Sequence, residues 1–290
     1  MIYLLIVSII WAFSFGLIKD SLTGINPVIV AFLRLFLSAV VFLPFLKIKK
    51  LSKPLIGKLI STGAVQYGFM YTTYIYSFQF LKAYEVALFT VLTPFYVVLI
   101  SNRLSRKSEG VFYLTALMAV AGAGVAVFKG LGDNSVIIGF IVLQVSNICF
   151  ASGQVYYKHI LKNEEQISDL NLFALLYIGG LIFTGIPGVY IYSTEALAFS
   201  ANEIFVLIYL GVIASGLGFF LWNYGARKTN TGALAIFNNL KIPVAILVSV
   251  TFFNEDANIL NLLIGGIVIL VSLMINQFYL TQKVDKELLY

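Results

Sequence analysis

A lysine stands in the middle of an apolar segment of the chain. Residues 235–250 read AIFNNLKIPVAILVSV, and Lys241 lies near the centre of the apolar run 231–253, with Asn238 before it and Pro243 after it. If this run crosses a membrane, a charge at that depth costs about 2.5–3.5 kcal/mol on insertion scales. A side chain so far from both surfaces reaches water poorly by snorkelling. The ammonium group therefore needs a partner inside the protein.

The acidic residues offer no evident partner for Lys241. Of the 13 Asp and Glu residues, only Glu85 is expected inside a helix, near its outer end. Three interpretations stay open. The ammonium group faces a water-filled cavity and binds an anionic group of a substrate, such as a carboxylate; or burial favours its neutral form; or it binds carbonyl and amide groups, including carbonyls freed by Pro243. Each interpretation turns the side chain away from lipid.

Three tyrosines have the spacing of one helical face. Tyr67, Tyr71 and Tyr74 follow positions i, i+4 and i+7, and Gln66 stands beside them. An aromatic belt at the membrane surface would be confined to helix ends, whereas Tyr67 lies well inside its apolar run. We therefore expect these side chains to form a cavity wall whose hydroxyl groups contact a substrate.

Further polar and aromatic side chains are concentrated in a few apolar runs. Each one alone is more often a contact between helices than a ligand contact. Their concentration nevertheless predicts that a substrate-binding site also includes Trp11, Ser14, Asn147, Trp222, Asn223 and Asn238.

Four other residues are expected to gate the site or to hold its structure. Arg34 has the planar fork that suits carboxylates, so it pairs with Glu85 as a gate, binds substrate, or makes a structural bond between helices. Pro94 and Pro243 each remove a backbone donor from an apolar run. The resulting kinks either shape the site or serve packing alone.

The composition places these residues in a membrane protein. The chain has 290 residues, of which 60% are hydrophobic and only 11% charged, against about 25% charged in soluble domains. Its net charge of +6 does not indicate nucleic-acid binding, because the basic residues form short clusters between apolar runs. With one cysteine and one histidine, we expect no disulfide, no metal site and no cofactor.

The apolar runs predict an all-α integral membrane protein. A spanning helix needs about 20 apolar residues, and the sequence offers ten such runs: 2–18, 27–46, 57–78, 84–101, 111–128, 136–157, 170–192, 203–224, 231–253 and 259–280. The first is expected to be a retained helix rather than a signal peptide, since it lacks a basic start and a cleavage site. Lys and Arg crowd one set of loops, which places both termini in the cytoplasm and the chain in the cytoplasmic membrane.

Weak internal repeats relate the two halves of the chain. VSIIWAFS (residues 7–14) resembles VSNICFAS (145–152), and ALFTVLTPFYVVLI (87–100) resembles AIFNNLKIPVAILV (235–248). Because five helices are an odd number, a second copy inserts upside down relative to the first. We therefore predict two inverted five-helix repeats, residues 1–132 and 133–290, with a binding site near the midplane between them.

Together with IIWAFSFGLIK and FLRLFLSAVVFLP, these features resemble the EamA branch of the drug/metabolite transporter superfamily. The resemblance covers essentially the whole chain and implies a fold of ten helices and export of metabolites, amino acids among them, through a cavity between the halves. Small multidrug relatives use a glutamate of the first helix to exchange protons for cationic drugs. Here no acidic residue precedes Asp20, which argues against that mechanism.

The expected function is secondary-active transport by alternating access. With Lys241 central, the substrate is expected to be an amino acid or a related carboxylate-bearing compound, moved outward; the alternative is import or facilitated movement of another polar solute. An intramembrane enzyme is a remote alternative, since the sequence has no paired Asp and no HExxH and offers no catalytic residues. The expected partners are a small-molecule substrate and membrane lipid. The protein is expected to be a monomer or a homodimer, and the small-residue runs at 119–127 and 263–270 could allow the close helix packing of a dimer.

The predicted topology can be tested by cysteine accessibility. Single cysteines introduced at residues 130–135 should react with a membrane-impermeant maleimide added outside intact cells, because that loop is predicted to be external. Cysteines at residues 104–109 should react only after the membrane is opened. Equal labelling of both loops in intact cells would contradict the orientation.

Overall fold

Helices make up the regular structure of the described chain. The computed structural model describes residues 2–105, 134–164, 166–194, 198–229, 231–256 and 258–288, with residues 114, 117, 118, 121, 122 and 125. Within these ranges there is no strand, and nine helices coincide with nine of the predicted runs. Of the predicted run 111–128, which contains the small residues, 12 of 18 positions lie outside the described residues.

The helices follow the chain from α1 to α9. Helix α1 is Ile2–Ser21, α2 is Pro27–Phe42, and α3 joins Lys53–Gly63, Ala64–Phe69 and Met70–Ser77. Helix α4 joins Ala83–Phe89, Thr90–Leu92 and Thr93–Ser105; α5 is Asn134–Ile160 and α6 is Ala174–Thr194. Helix α7 joins Ala201–Ile208, Tyr209–Leu217 and Gly218–Arg227; α8 is Thr231–Phe252 and α9 is Ile259–Leu288.

The polarity of the surface and the interior is that of a membrane protein. By length and composition, six stretches in the described ranges are suited to cross a bilayer: Ile2–Ser21, Pro27–Phe45, Ala83–Leu104, Ser135–Ile160, Asp169–Ile191 and Ala201–Arg227. Large apolar side chains such as Ile186 and Phe205 are 76% and 73% exposed, whereas Gln66 and Asn223 are fully buried. Such a distribution suits lipid outside and polar contacts between helices inside.

Three helices depart from regular α geometry where they cross the interior. Residues 64–69 of α3 and 209–217 of α7 are π-helical, and α4 tightens into a 3₁₀ turn at Thr90–Leu92, just before Pro94. Such segments change the angular position of the side chains that follow. Helix α8, by contrast, is helical through Pro243.

The main packing pairs follow a regular plan. Helix α1 packs on α7 and α8, and in the same way α5 packs on α3 and α4. Helix α2 packs on α7, and in the same way α6 packs on α3. The remaining main pairs are α2 with α6 and α4 with α8. Exchanging α1–α4 for α5–α8 in order therefore reproduces these main pairs, although the smaller contacts of α2 with α3 and of α1 with α4 have no counterpart among the main pairs.

Glycines permit the closest of these approaches, between α3 and α6. A Cβ on Gly63 would lie 1.9 Å from the carbonyl oxygen of Leu176, and one on Gly179 would lie 2.0 Å from that of Ile60. Because both obstacles are backbone atoms, the helices would have to separate to admit a side chain. Gly57, on the same helix as Gly63, has nothing within 4 Å.

Substitution of these glycines should therefore have contrasting effects. Gly63→Ala and Gly179→Ala should each destabilise the protein by about 1–3 kcal/mol through overpacking. Gly57→Ala is the matched control and should leave stability unchanged or raised, since alanine favours helix. Thermal unfolding of the purified protein in detergent measures this. Equal midpoints for Gly63→Ala and Gly57→Ala would contradict the packing described.

Candidate functional site

A cavity lies where α1, α3, α4, α5, α7 and α8 meet. These helices come from both halves of the chain, so neither half could form the cavity alone. Arg34 of α2 also reaches it. The lining residues are Trp11, Ser14, Phe15, Arg34, Met70, Tyr71, Tyr74, Thr90, Ser146, Asn147, Phe150, Phe219 and Lys241. This lining is largely aromatic, contains two cationic side chains and includes no Asp or Glu.

Lys241 is buried in the cavity wall and is 5% exposed. Its Nζ lies 5.2 Å from the ring centroid of Trp11 and 5.5 Å from that of Phe150. Among the described residues, no carboxylate and no hydrogen-bond acceptor contacts this ammonium group. Cation–π contacts contribute about 2 kcal/mol when desolvated, so the two rings offset part of the cost of burying the charge. They leave the hydrogen-bonding capacity of the ammonium group unused.

The Trp11 indole is held in place by α7. Its Nε1 donates to the carbonyl oxygen of Ala214 at 2.9 Å, and its ring contacts Phe150, Phe219 and Trp222 with centroids 4.9–5.7 Å apart. A Cβ on Gly218 would come within 3.0 Å of Nε1. The absence of a side chain at Gly218 therefore leaves the room that the indole needs, and the face presented to Lys241 is fixed.

Arg34 is the second cation of the cavity and is 2% exposed. Its Nε donates to Ser215 Oγ at 3.1 Å, and its Nη2 donates to the Tyr71 hydroxyl at 2.9 Å. Its Cζ lies 4.2 Å from the centroid of the Tyr71 ring. The remaining nitrogen, Nη1, has no partner among the described residues. Arg34 thus joins α2, α3 and α7 while keeping donor capacity.

The pairing of Arg34 with Glu85 that the sequence suggested is not present. The Glu85 carboxylate belongs to the start of α4, where Oε2 accepts from the Lys82 backbone N–H at 2.9 Å and Oε1 accepts from the Tyr84 hydroxyl at 3.3 Å. Arg34 instead bonds to hydroxyl groups of α3 and α7. A carboxylate that caps its own helix start satisfies backbone donors that would otherwise be buried.

The break in α4 supplies a backbone carbonyl to the site. The Phe89 carbonyl lies at the start of the 3₁₀ turn Thr90–Leu92, where it accepts hydrogen bonds from two side chains of α5. Asn147 Nδ2 donates to it at 3.2 Å and Gln144 Nε2 at 3.4 Å. Irregular backbone at membrane depth is tolerated where it is buried or borders a cavity. Pro94, which follows this turn, is thereby linked to the site, whereas Pro243 is exposed on α8.

Several residues predicted to bind substrate lie outside this lining. The Gln66 and Asn223 amides bond to each other in both directions, at 3.0 and 3.2 Å, and Asn223 also donates to the Tyr67 hydroxyl at 3.0 Å. Trp222 Nε1 donates to Gln154, and Asn238 Nδ2 donates to the Leu234 carbonyl. Most of these groups bond to one another between or within helices, although Gln154 Nε2 and Asn238 Oδ1 have no partner among the described residues.

Two of the three tyrosines of the predicted stripe line the cavity. Tyr71 and Tyr74 belong to the lining, whereas Tyr67, within the π-helical residues 64–69, does not. The Tyr67 ring is fully buried and packs on Phe219 and Tyr177, with centroids 4.8 and 5.3 Å apart. Tyr67 therefore lies behind Phe219, which itself borders the cavity.

Six lining residues were missed: Phe15, Met70, Thr90, Ser146, Phe150 and Phe219. The internal repeat does not point to them, because Trp11 and Ser14 of the stretch 7–14 align with Cys149 and Ser152 of the stretch 145–152. All six residue types are ordinary in an apolar helix, so no signal in the sequence marks them.

Known proteins resemble this chain over nearly its whole length. The model of the EamA-like transporter family matches residues 1–128 and 137–277. The "Biotin transporter" of Salmonella typhimurium is 33% identical over 285 residues, which cover 98% of this chain and 95% of that protein. The "Probable amino-acid metabolite efflux pump" of the same organism is 25% identical over 287 residues, covering 94% and 93%.

A solved structure has a similar fold. It is titled "Crystal structure of protein". The superposition covers 96% of each chain, with a TM-score of 0.68 and 15% sequence identity. At that identity the likeness concerns the fold alone. The family match extends over both halves and nearly all of the described helices, and the chain therefore belongs to the EamA-like transporter family.

Proposed function

We propose that this transporter carries a small monocarboxylate, biotin or a compound of similar shape, and that Lys241 binds the carboxylate. The observation that carries the proposal is the ammonium group itself, which is buried in a cavity bordered by both halves and has no counter-ion among the described residues. A ligand carboxylate would supply the charge and the hydrogen-bond acceptors that the aromatic rings lack.

The rest of the lining favours a ligand with a single ionised group. Apart from Lys241 and Arg34, the wall consists of aromatic rings, Met70 and neutral polar side chains. Small-molecule sites are typically apolar with a few polar groups that fix orientation. Biotin, the compound in the name of the relative at 33% identity, has one carboxylate, an aliphatic chain and a neutral bicyclic ring, and suits this lining.

Amino-acid export, expected from the sequence, is supported less well. The relative named for amino-acid metabolite efflux is 25% identical. The ammonium group of an amino acid would find no acidic residue in the described lining. The aromatic faces of Trp11 and Phe150 would not replace one, because Lys241 Nζ already lies 5.2 and 5.5 Å from them and would repel a second cation.

The proposal includes transport by alternating access. In it the two inverted five-helix repeats are residues 1–132 and 133–290. Three observations support it: the exchange symmetry of the packing pairs, the π-helical segments in the equivalent helices α3 and α7, and a family match that divides at residues 129–136. A tenth spanning helix would lie between α4 and α5. The distribution of Lys and Arg supports a cytoplasmic-membrane location with both termini inside.

The role of Lys241 can be tested by changing either the lysine or the carboxylate of the ligand. Lys241→Met should weaken binding of labelled biotin about 10- to 150-fold, because hydrogen bonds to charged groups contribute about 1.5–3 kcal/mol. The primary amide of biotin should bind the unsubstituted protein less tightly by a similar factor and should bind Lys241→Met without further loss. Equilibrium binding to purified protein and counterflow in proteoliposomes measure this without depending on the direction of net transport.

Two controls separate this effect from unfolding. Lys58→Met removes an exposed lysine and should leave binding unchanged. Lys241→Met replaces a buried charge with an apolar side chain, so its thermal stability should be equal or higher. Equal competition by biotin and its amide against the unsubstituted protein would refute the proposed contact.

A further inference from the structure

The serine and threonine hydroxyl groups of the described lining have already committed their protons. Ser14 Oγ donates to the Ile10 carbonyl at 3.1 Å, Thr90 Oγ1 to Ala87 at 2.7 Å, and Ser146 Oγ to Met70 at 3.1 Å. A hydroxyl group has one proton and two lone pairs. Each of these three side chains can therefore offer a ligand only an acceptor.

Asn147 is committed in the same way. Its Nδ2 donates both protons, to the Phe89 carbonyl at 3.2 Å and to Gln144 Oε1 at 3.0 Å. Since a backbone carbonyl can only accept, the contact with Phe89 fixes which end of the amide is nitrogen. Asn147 is 4% exposed and lines the cavity, and its Oδ1 receives no hydrogen bond from the described residues. That oxygen is a built acceptor without a donor.

The donors that remain in the described lining are few. They are the ammonium group of Lys241, Nη1 of Arg34 and the hydroxyl group of Tyr74. The Trp11 N–H is used by Ala214, and the Tyr71 hydroxyl, which accepts from Arg34, lies 2.7 Å from Ser215 Oγ. Donor capacity in the cavity is thus mainly cationic, and the neutral polar groups mainly accept.

The two kinds of group lie at different levels of the cavity. Lys241 Nζ lies beside Trp11 of α1 and Phe150 of α5. Ser14 and Asn147 are each three residues away on the same two helices, which is a displacement of about 4.5 Å along a helix. With α1 and α5 antiparallel, as an inverted repeat requires, both displacements point toward the outer side. In the proposed inverted repeat the acceptors Ser14 and Asn147 therefore lie to one side of Lys241, whereas Arg34 is held separately by Tyr71 and Ser215.

We infer that the ligand carries N–H donors at the end remote from its carboxylate, and that Asn147 Oδ1 selects for them. The ligand class is a monocarboxylate whose other end is a cyclic urea, a lactam or an amide. The inference rests on the proposed binding of the carboxylate at Lys241. A ligand with only acceptors at its remote end would leave Asn147 Oδ1 buried without a donor.

A matched pair of ligands tests this selection. Desthiobiotin carries a five-membered cyclic urea with two N–H groups, and its cyclopentanone counterpart has the same carboxylate chain and carbonyl with CH₂ in place of each N–H. The unsubstituted protein should bind desthiobiotin about tenfold or more tightly than the cyclopentanone acid. In Asn147→Leu the two ligands should bind with similar affinity.

Asn239→Leu is the control variant. Asn239 is also a buried asparagine, its side-chain atoms have no partner among the described residues, and it is absent from the lining. This variant should keep the preference for desthiobiotin. Loss of the preference in Asn147→Leu alone is the expected result.

Other outcomes would overturn the inference in distinguishable ways. If both acids bind the unsubstituted protein equally, and both are weakened by Lys241→Met, carboxylate binding stands and selection by Asn147 is refuted. A preference that persists in Asn147→Leu refutes the assigned residue. If neither acid binds the unsubstituted protein, the proposed function and the inference fail together.

Discussion

The site is organised around one ammonium group that is buried at the centre of an apolar protein. No carboxylate of the described residues contacts it. The protein offers Lys241 two aromatic faces instead of a counter-ion. Aromatic rings lower the energy of a desolvated cation but accept no conventional hydrogen bond from it. The charge is therefore tolerated in the cavity while its hydrogen-bonding capacity stays unused, which gives an anionic ligand a large energetic advantage over a neutral one.

The surrounding helices are irregular where they serve this site. At the start of the 3₁₀ turn of α4, the Phe89 carbonyl accepts from the Asn147 amide and fixes its orientation. The π-helical part of α7 carries Ala214 and Ser215, which hold Trp11 and Arg34 respectively. Backbone groups that leave the regular helical pattern must find partners inside the protein, because lipid supplies none. Breaks in the helices and the polarity of the cavity are thus two consequences of the same requirement.

The sequence indicated that Lys241 is a buried charge, but it did not indicate which aromatic side chains around it line the cavity. Lys241 was identified because a charge in the middle of an apolar run is costly wherever its helix packs. The bounds of the described helices agree with the apolar runs to within four residues, except that α9 ends eight residues beyond its run. Tyr67 was expected in the cavity wall, but its ring is buried behind Phe219 and is not part of the lining, which the spacing of the three tyrosines does not reveal.

Partner choice was equally inaccessible from sequence alone. Gln66 and Asn223 are 157 positions apart, and a single sequence does not reveal that they bond to each other rather than to a substrate. Phe150 and Phe219 are two of 25 phenylalanines, and only the structure distinguishes a ring beside the cavity from one facing lipid. The Glu85 carboxylate was available in sequence as a partner for Arg34, yet the nearby start of α4 claims it.

The contact between Lys241 and the ligand can be measured as a distance. Solid-state NMR of protein labelled with ¹⁵N-lysine, loaded with biotin labelled with ¹³C at its carboxyl carbon, reports the dipolar coupling between the two nuclei. An ion pair with N···O of about 2.8 Å places them about 3.5 Å apart, and we expect one such lysine signal, which disappears in Lys241→Met and persists in Lys58→Met. Bound biotin without this coupling, or with a coupling that survives Lys241→Met, would contradict the assignment.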